Sequence, residues 1–296
     1  MKTFSINKTT LAALYLFVAA FLFSCQKENS NSQTVTEEQA VVYSEESSEA
    51  EGSLDDAEDV AMTAADEESA EAGTSLGGRY LPKFEELRKR IGQCAEVTVT
   101  PNDSTYPKTV TIDFGAGCTG PDGKFRKGKM VLHFTGPLRR PGSVVTLKFV
   151  DFYVNRAHIE GVKIFTNLSE LPVHKWNITI VDGKVSFPNG RGYKYEGTKT
   201  VTQIAGMDTR TVRDDVYKIV GRSKTEYNNG TTININTEDP LIKKVACHWK
   251  SEGTLKIKIN DREFKLDFGF PKNGECDNKA LLTWDNGNKQ RVILLP

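Results

Sequence analysis

From Ala95 onward apolar residues return at every second position, and this period constrains the fold more than any other feature of the chain. Leu255, Ile257 and Ile259 alternate with Lys256 and Lys258; Phe264, Leu266, Phe268 and Phe270 alternate with Lys265 and Asp267; Met130, Leu132 and Phe134 follow the same rule. Successive strand side chains point to opposite faces, so these runs read as half-buried antiparallel strands. Dipeptides that favour tight hairpins punctuate them at Asp122-Gly123, Pro141-Gly142, Asp182-Gly183, Asn189-Gly190, Asn229-Gly230, Asn273-Gly274 and Asn286-Gly287. Roughly thirteen to sixteen strands of ordinary length would fit. The fold class is therefore all-β, built of antiparallel meander sheets arranged as a sandwich or as one large curled sheet. Helical spacing is convincing only between Arg79 and Gly92, where Leu81, Phe84, Leu87 and Ile91 share a face, which predicts one short N-terminal helix. No alternation of strands with helices occurs, which argues against doubly wound and α/β-barrel enzymes.

The N-terminal quarter follows other rules. Lys2 and Lys8 precede a thirteen-residue apolar run, Leu11 to Phe23, which is too short to span a bilayer and fits the apolar region of a signal peptide over residues 1–24. The run ends Leu22-Phe23-Ser24-Cys25, which resembles the lipobox of bacterial lipoproteins, although Phe23 is bulkier than usual. That resemblance implies cleavage before Cys25, diacylation of its thiol with palmitate-type chains, and firm membrane attachment. Gln26 in place of Asp points to the outer membrane, and Gln26-Lys27-Glu28-Asn29 is similar to the charged signals of surface-exported lipoproteins of bacteroidete-type bacteria. A cell-surface location is thus preferred to the periplasmic face.

Residues 25–78 read as the lipidated Cys and a disordered acidic tether, because Ser, Glu, Ala and Asp dominate and Tyr43 is the one aromatic. Glu37 to Glu71 holds fourteen carboxylates and no base, whereas residues 79–296 hold 36 basic against 24 acidic residues, a surplus of 12. The preferred reading is a soluble spacer. The alternative is an acidic arm that folds back on the basic domain and competes there with an anionic ligand.

With Cys25 set aside, Cys94, Cys118, Cys247 and Cys276 remain, an even number in an exported chain and open to three connectivities. A hairpin turning at Asn260-Asp261 would bring Cys247 opposite Cys276, and Cys94 and Cys118 bracket two strands around Pro101 to Pro107. The expected pairs are Cys94 with Cys118 and Cys247 with Cys276. Each pair brackets a similar pattern, with Asp113-Phe114-Gly115 and Asp267-Phe268-Gly269 at matching distances from the first cysteine, which suggests an internal duplication of about 94–136 and 247–284 within the 79–296 domain.

The run Ile112 to Cys118, then Asp122-Gly123 through Arg126-Lys127-Gly128, Pro141-Gly142-Ser143, Phe152-Tyr153-Val154-Asn155, Gly161, Thr166-Asn167, Asp214-Asp215, Gly221, Pro240-Leu241 and Cys247 to Cys276 resembles uncharacterised outer-membrane lipoproteins of bacteroidete-type bacteria. The resemblance implies an anchored β-rich domain. It carries over no catalytic residue.

Chemistry is sparse in the sequence. No Cys-x-x-Cys, phosphate-binding glycine loop, His-Glu-x-x-His or calcium loop is present, and His133, His158, His174 and His248 are scattered among strand residues. No catalytic residue, cofactor or metal is assigned. Carboxylates for a polysaccharide hydrolase could come from Asp151, Glu160, Asp214 and Asp215, though Asp214-Asp215 reads better as a turn. Lys124, Arg126, Lys127 and Lys129 crowd one turn and Arg139 and Arg140 sit in the next, at opposite ends of a strand about 30 Å long. These six are the anion-binding candidates. Tyr193, Tyr195, Trp176, Trp249 and Trp284 could build a carbohydrate-stacking platform, with burial in a sheet core the commoner fate. The sequence thus predicts a noncatalytic binding or interaction module held in the membrane through Cys25, with anionic glycan or another envelope protein as partner and nucleic acid not expected. A polysaccharide-acting hydrolase and a purely structural envelope protein are the alternatives.

Overall fold

The computed structural model describes residue 36 and residues 56–65, 67–68, 84–93, 95–188, 190–209 and 212–295, all within one compact unit, 35–296. The expected signal peptide, Cys25 and Cys94 lie outside the described residues. Helix α1 covers 56–65 and 67–68, and α2 covers Glu85–Ile91. The strands are β1 Glu96–Thr100, β2 Lys108–Asp113, β3 Cys118–Thr119, β4 Phe125–Phe134, β5 Val144–Val154, β6 Ala157–Asn167 and β7 Lys175–Ser186. They continue as β8 Gly192–Ala205, β9 Val216–Tyr227, β10 Thr232–Lys244, β11 Glu252–Ile259, β12 Arg262–Asp267, β13 Lys279–Trp284 and β14 Lys289–Leu294.

All fourteen strands belong to one antiparallel sheet, ordered β1-β2-β4 and then strand by strand to β14, with β3 pairing β4 off this path. The fold is all-β, and of the two expected arrangements it is the single large sheet. Alternation sets its faces: Val110 and Ile112 of β2 and Met130, Leu132 and Phe134 of β4 are buried on one side, called here the inner face. The β11–β12 hairpin turns at Asn260-Asp261 as expected, with Ile259 opposite Arg262 and Thr254 opposite Asp267.

One turn signal proves to be something else. Asp182-Gly183 lies inside β7, where Asp182 takes a positive φ of 51° and the register shifts against both neighbours. This is a β-bulge, and Asp151 at φ 47° forms another in β5. After each bulge the inward parity changes: Val145 and Leu147 give way to Phe152 and Val154 on β5, and Ile178 gives way to Val185 on β7. The neighbouring strands carry glycine where the bulged backbone presses in. A Cβ on Gly128 would stand 1.9 Å from Asp151 O, and one on Gly161 2.8 Å from Asp182 O.

The expected tether needs the larger correction. Residues 56–65 and 67–68, placed by composition in a disordered spacer, form a helix whose Ala57, Val60, Ala61, Ala64 and Ala65 are at most 1 % exposed. These positions fall at i, i+3, i+4, i+7 and i+8, one helical face. They join a cluster with Val110, Ile112, Met130, Leu132, Leu147, Phe152 and Phe165. The predicted helix near residue 85 is also present, with Leu87 and Ile91 buried in the same cluster. The two helices are joined by Glu67, whose Oε1 and Oε2 accept the N–H groups of Glu86 and Leu87 at 2.8 and 2.9 Å, satisfying donors left open at the start of α2.

A second cluster gathers Tyr193, Tyr227 and the inward residues of β10 to β14, and Tyr195 packs against both clusters. Cys247 and Cys276 are bonded, with Cα atoms 5.6 Å apart, tying the β10–β11 connection to the β12–β13 connection. Cys118 is disulfide-bonded as well. The two Asp-Phe-Gly triplets end their strands alike: Gly115 and Gly269 each donate N–H to the aspartate two residues before, at 2.8 Å, and Phe114 and Phe268 are buried.

Candidate functional site

Four strands carry a cation on the inner face: Lys108 of β2, Arg126 of β4, Lys163 of β6 and Lys199 of β8. Lysine and arginine rarely face a core unless paired. Here α1 supplies the partners. Arg126, only 1 % exposed, holds Asp56 through Nη2 at 2.8 Å to Oδ2 and 3.0 Å to Oδ1, and the same Nη2 lies 2.6 Å from Asp122 Oδ2. Lys124 Nζ meets Asp56 Oδ1 at 2.9 Å. Glu58 Oε2 lies 2.7 Å from Lys163 Nζ and 2.9 Å from Lys199 Nζ. Glu68 Oε1 lies 2.8 Å from Lys108 Nζ, and Tyr106 donates its hydroxyl to Glu68 Oε2 at 2.8 Å. Lys108 also donates to Asp103 O at 2.6 Å and sits 4.8 Å above the Tyr106 ring.

These pairs set the direction of α1. Its first turn meets Arg126 at one end of β4, and its last meets Lys108, which pairs with Phe134 at the other end. The helix therefore runs along β4. Its axis spans about 18 Å from Asp56 to Glu68, and long side chains make up the rest of the strand length.

Electrostatics reinforce the arrangement. Burial opposes the charge of Arg126, yet the hydrogen bond with Asp122 and the field of Asp56 raise its pKa above the ordinary guanidinium value. Burial also works against the Asp122 carboxylate, but hydrogen bonds from Arg126 and from the Lys124 N–H hold its pKa below the usual range.

The six anion-binding candidates separate accordingly. Lys124 and Arg126 are drawn together on Asp56. Lys127 and Lys129 leave β4 on the outer face, Lys127 5.1 Å over the Tyr153 ring and Lys129 2.6 Å from Asp113. The hydrogen bond with Asp113, and then its charge, raise the Lys129 pKa. Arg126, Lys127 and Lys129 thus lie on a strand that sends them both ways, whereas the sequence placed them in a single turn. Arg139 and Arg140 are exposed beyond the far end of β4.

Of the four hydrolase carboxylates, two meet: His158 has Asp151 3.9 Å from Nε2 and Glu160 3.8 Å from Nδ1, and stacks on Tyr153 with centroids 4.4 Å apart. They stand on the open outer face, with Lys184 2.7 Å from Glu160. Asp215 is instead held by Gln203 and Tyr217 at 2.9 Å each, and Asp214 ends a 3-10 turn, Val212–Asp214. The aromatic candidates go largely to the core: Tyr193 is buried, and Trp249 and Trp284 pack on the second cluster. Among the described residues no group of three or more His, Cys, Asp or Glu is placed to hold a metal. No helix among them is long and apolar enough to cross a membrane.

Sequence reasoning missed Asp56, Glu58, Glu68, Lys108, Lys163 and Lys199. The alanine spacing at 57, 61, 64 and 65 was the available signal for the helix, and nothing local marked the three lysines. No protein-family model, no curated protein and no solved structure matches this chain.

Proposed function

We propose that the chain is a lipid-anchored protein of the bacterial outer membrane, held through Cys25, whose sheet is a noncatalytic module for anionic ligands such as acidic glycans. One observation carries the binding reading: the inner-face cations Lys108, Arg126, Lys163 and Lys199 are occupied by three carboxylates of one helix from the acidic stretch. The apolar part of that contact is small, because a buried methyl is worth about 0.8 kcal/mol and four of the six apolar residues, Val60 and the partly buried Met62 aside, are alanines. Buried ion pairs are roughly neutral against apolar replacements. Charge therefore selects the seat of α1, and α1 is the resident occupant of a site that takes polyanions. The anchor reading rests on the Leu22 to Cys25 sequence and the polar run after it.

The test compares the parent chain with a variant carrying Asp56→Asn, Glu58→Gln and Glu68→Gln, titrated with heparin, polygalacturonate and neutral dextran at low and high salt. A salt-sensitive gain of at least tenfold for the polyanions in the variant, with dextran inert, supports the reading. Equal and weak responses from both chains overturn it. If the triple variant does not fold by circular dichroism, Glu58→Gln alone carries the comparison, since its side chain is the least buried of the three.

A further inference from the structure

On the outer face, away from α1, the β6–β7 connection carries aliphatic side chains into water. Leu171 is 67 % exposed, Leu168 45 % and Val173 37 %, and Ile204 near the end of β8 is 43 % exposed. They form one patch by register. Leu168 N–H donates to Lys175 O, Lys175 pairs with Thr202, and Thr202 pairs with Lys218, so Leu168, Lys175, Thr202 and Lys218 form a row across four strands. Val173 stands two positions ahead of Lys175, just before β7, Ile204 lies two positions beyond Thr202 on β8, and Leu171 projects at the tip.

Basic side chains rim this patch. Lys175 and Lys218 are exposed beside it, and the turn bearing Arg139 and Arg140 is fastened to its base: Asn167 Nδ2 donates to Leu138 O at 2.7 Å and Gly142 N–H donates to Asn167 O at 2.9 Å. Arg213 is exposed in the neighbouring connection. The acidic groups at this end are Glu170, Asp208, Asp214 and Asp215, four against the five cations; Asp214 accepts from Thr209, and Asp215 is buried on Gln203 and Tyr217.

We propose that this tip docks on a bilayer surface bearing anionic headgroups, with Leu168, Leu171, Val173 and Ile204 entering the boundary of the acyl region and Arg139, Arg140, Lys175 and Lys218 meeting phosphate. Exposed aliphatics ringed by bases are the combination such surfaces bind, each basic residue adding to the attraction within a Debye length. The contact is a folded surface, independent of any acyl chain. Its aliphatic residues Leu168 and Ile204 stand on the face of the sheet opposite the α1 seat.

The experiment uses residues 26–296, which keep the whole compact unit 35–296 and lack both the apolar run Leu11 to Phe23 and Cys25, in flotation with vesicles of phosphatidylcholine alone or mixed with phosphatidylglycerol. Flotation with the mixed vesicles, reduced by salt, is expected. Leu171→Asp with Ile204→Asp should lower it at least tenfold, while Arg139→Gln with Arg140→Gln should weaken it and flatten its salt dependence. Both pairs are exposed, and an unchanged melting temperature confirms folding. Absence of flotation overturns the proposal, and so does undiminished flotation of the aspartate variant. Self-association abolished by the same aspartates in place of vesicle binding would also overturn it and make a second copy the occupant. The gain in heparin binding on Asp56→Asn, Glu58→Gln and Glu68→Gln, read separately, reports on the inner face and leaves these outcomes distinct.

Discussion

Glu68 and Lys108 meet at 2.8 Å with both side chains fully buried, and they come from segments forty residues apart in sequence. Neither charge could stay in that place alone. Tyr106 and the Asp103 carbonyl complete the set of hydrogen bonds that makes the pair tolerable.

Breaking this pair from one side should be costly. Glu68→Ala leaves Lys108 buried without its carboxylate and is expected to lower stability by about 3 to 5 kcal/mol, whereas Glu68→Leu with Lys108→Met should cost far less or stabilise. Urea denaturation of the three chains measures the difference. Equal losses in the single and double variants would show that α1 contributes through packing alone.

The acid side of the stability profile should depend on Asp122. Its folded-state pKa lies below the ordinary 3.8, so its stabilising contribution is complete above 3.8 and is lost as pH falls below 3.8 through the folded value. Asp122→Asn should therefore flatten the decline of melting temperature in that acid window and lower stability at neutral pH. A parallel acid limb in parent and variant would contradict this.

Two glycines with nearly the same backbone separate strain from crowding. Gly123 and Gly128 have φ of 74° and 82°, but a Cβ on Gly123 meets nothing within 4 Å, while one on Gly128 meets Asp151 O. Gly123→Ala should cost about 1 to 2 kcal/mol, the left-handed penalty. Gly128→Ala should cost clearly more, because the β5 bulge must move as well. Thermal melts of the two variants decide it.

Replacing Cys247 and Cys276 by serine opens a loop with a sequence separation of 29 and should lower stability by about 3 to 4 kcal/mol by chain entropy. Denaturation of the double variant against the oxidised parent gives the value. A loss near zero would mean that the strand ladder already holds the two connections together in the unfolded ensemble.

Strands and hairpins were legible because their signal is local. The alternation in β11 and β12 and the turn at Asn260-Asp261 lie within about twenty residues, and the Cys247–Cys276 bond followed from them. Asp182-Gly183 shows the limit: the dipeptide reports a positive φ, and only the partner strands decide whether the chain reverses or bulges. The inner face was illegible for another reason. Lys108, Lys163 and Lys199 occupy the positions of alternation that point inward, where lysine is normally absent, and their partners are carboxylates in a segment whose alanines carry too little hydrophobic weight to stand out. Arg126 was singled out by local charge density, yet its place depends on Asp56, which composition had assigned to a spacer.

The reach of Glu58 has a consequence for the order in which a chain made from its N-terminus can fold. Its second partner, Lys199, comes 141 residues later, from 199 − 58, when two-thirds of the 296-residue chain has emerged. Until β8 has emerged, the acidic segment lacks part of its seat, and its clustered carboxylates keep it hydrated. Contacts this distant make closure slow. The segment made first is thereby among the last to be locked, and its docking marks the arrival of the sheet's central strands.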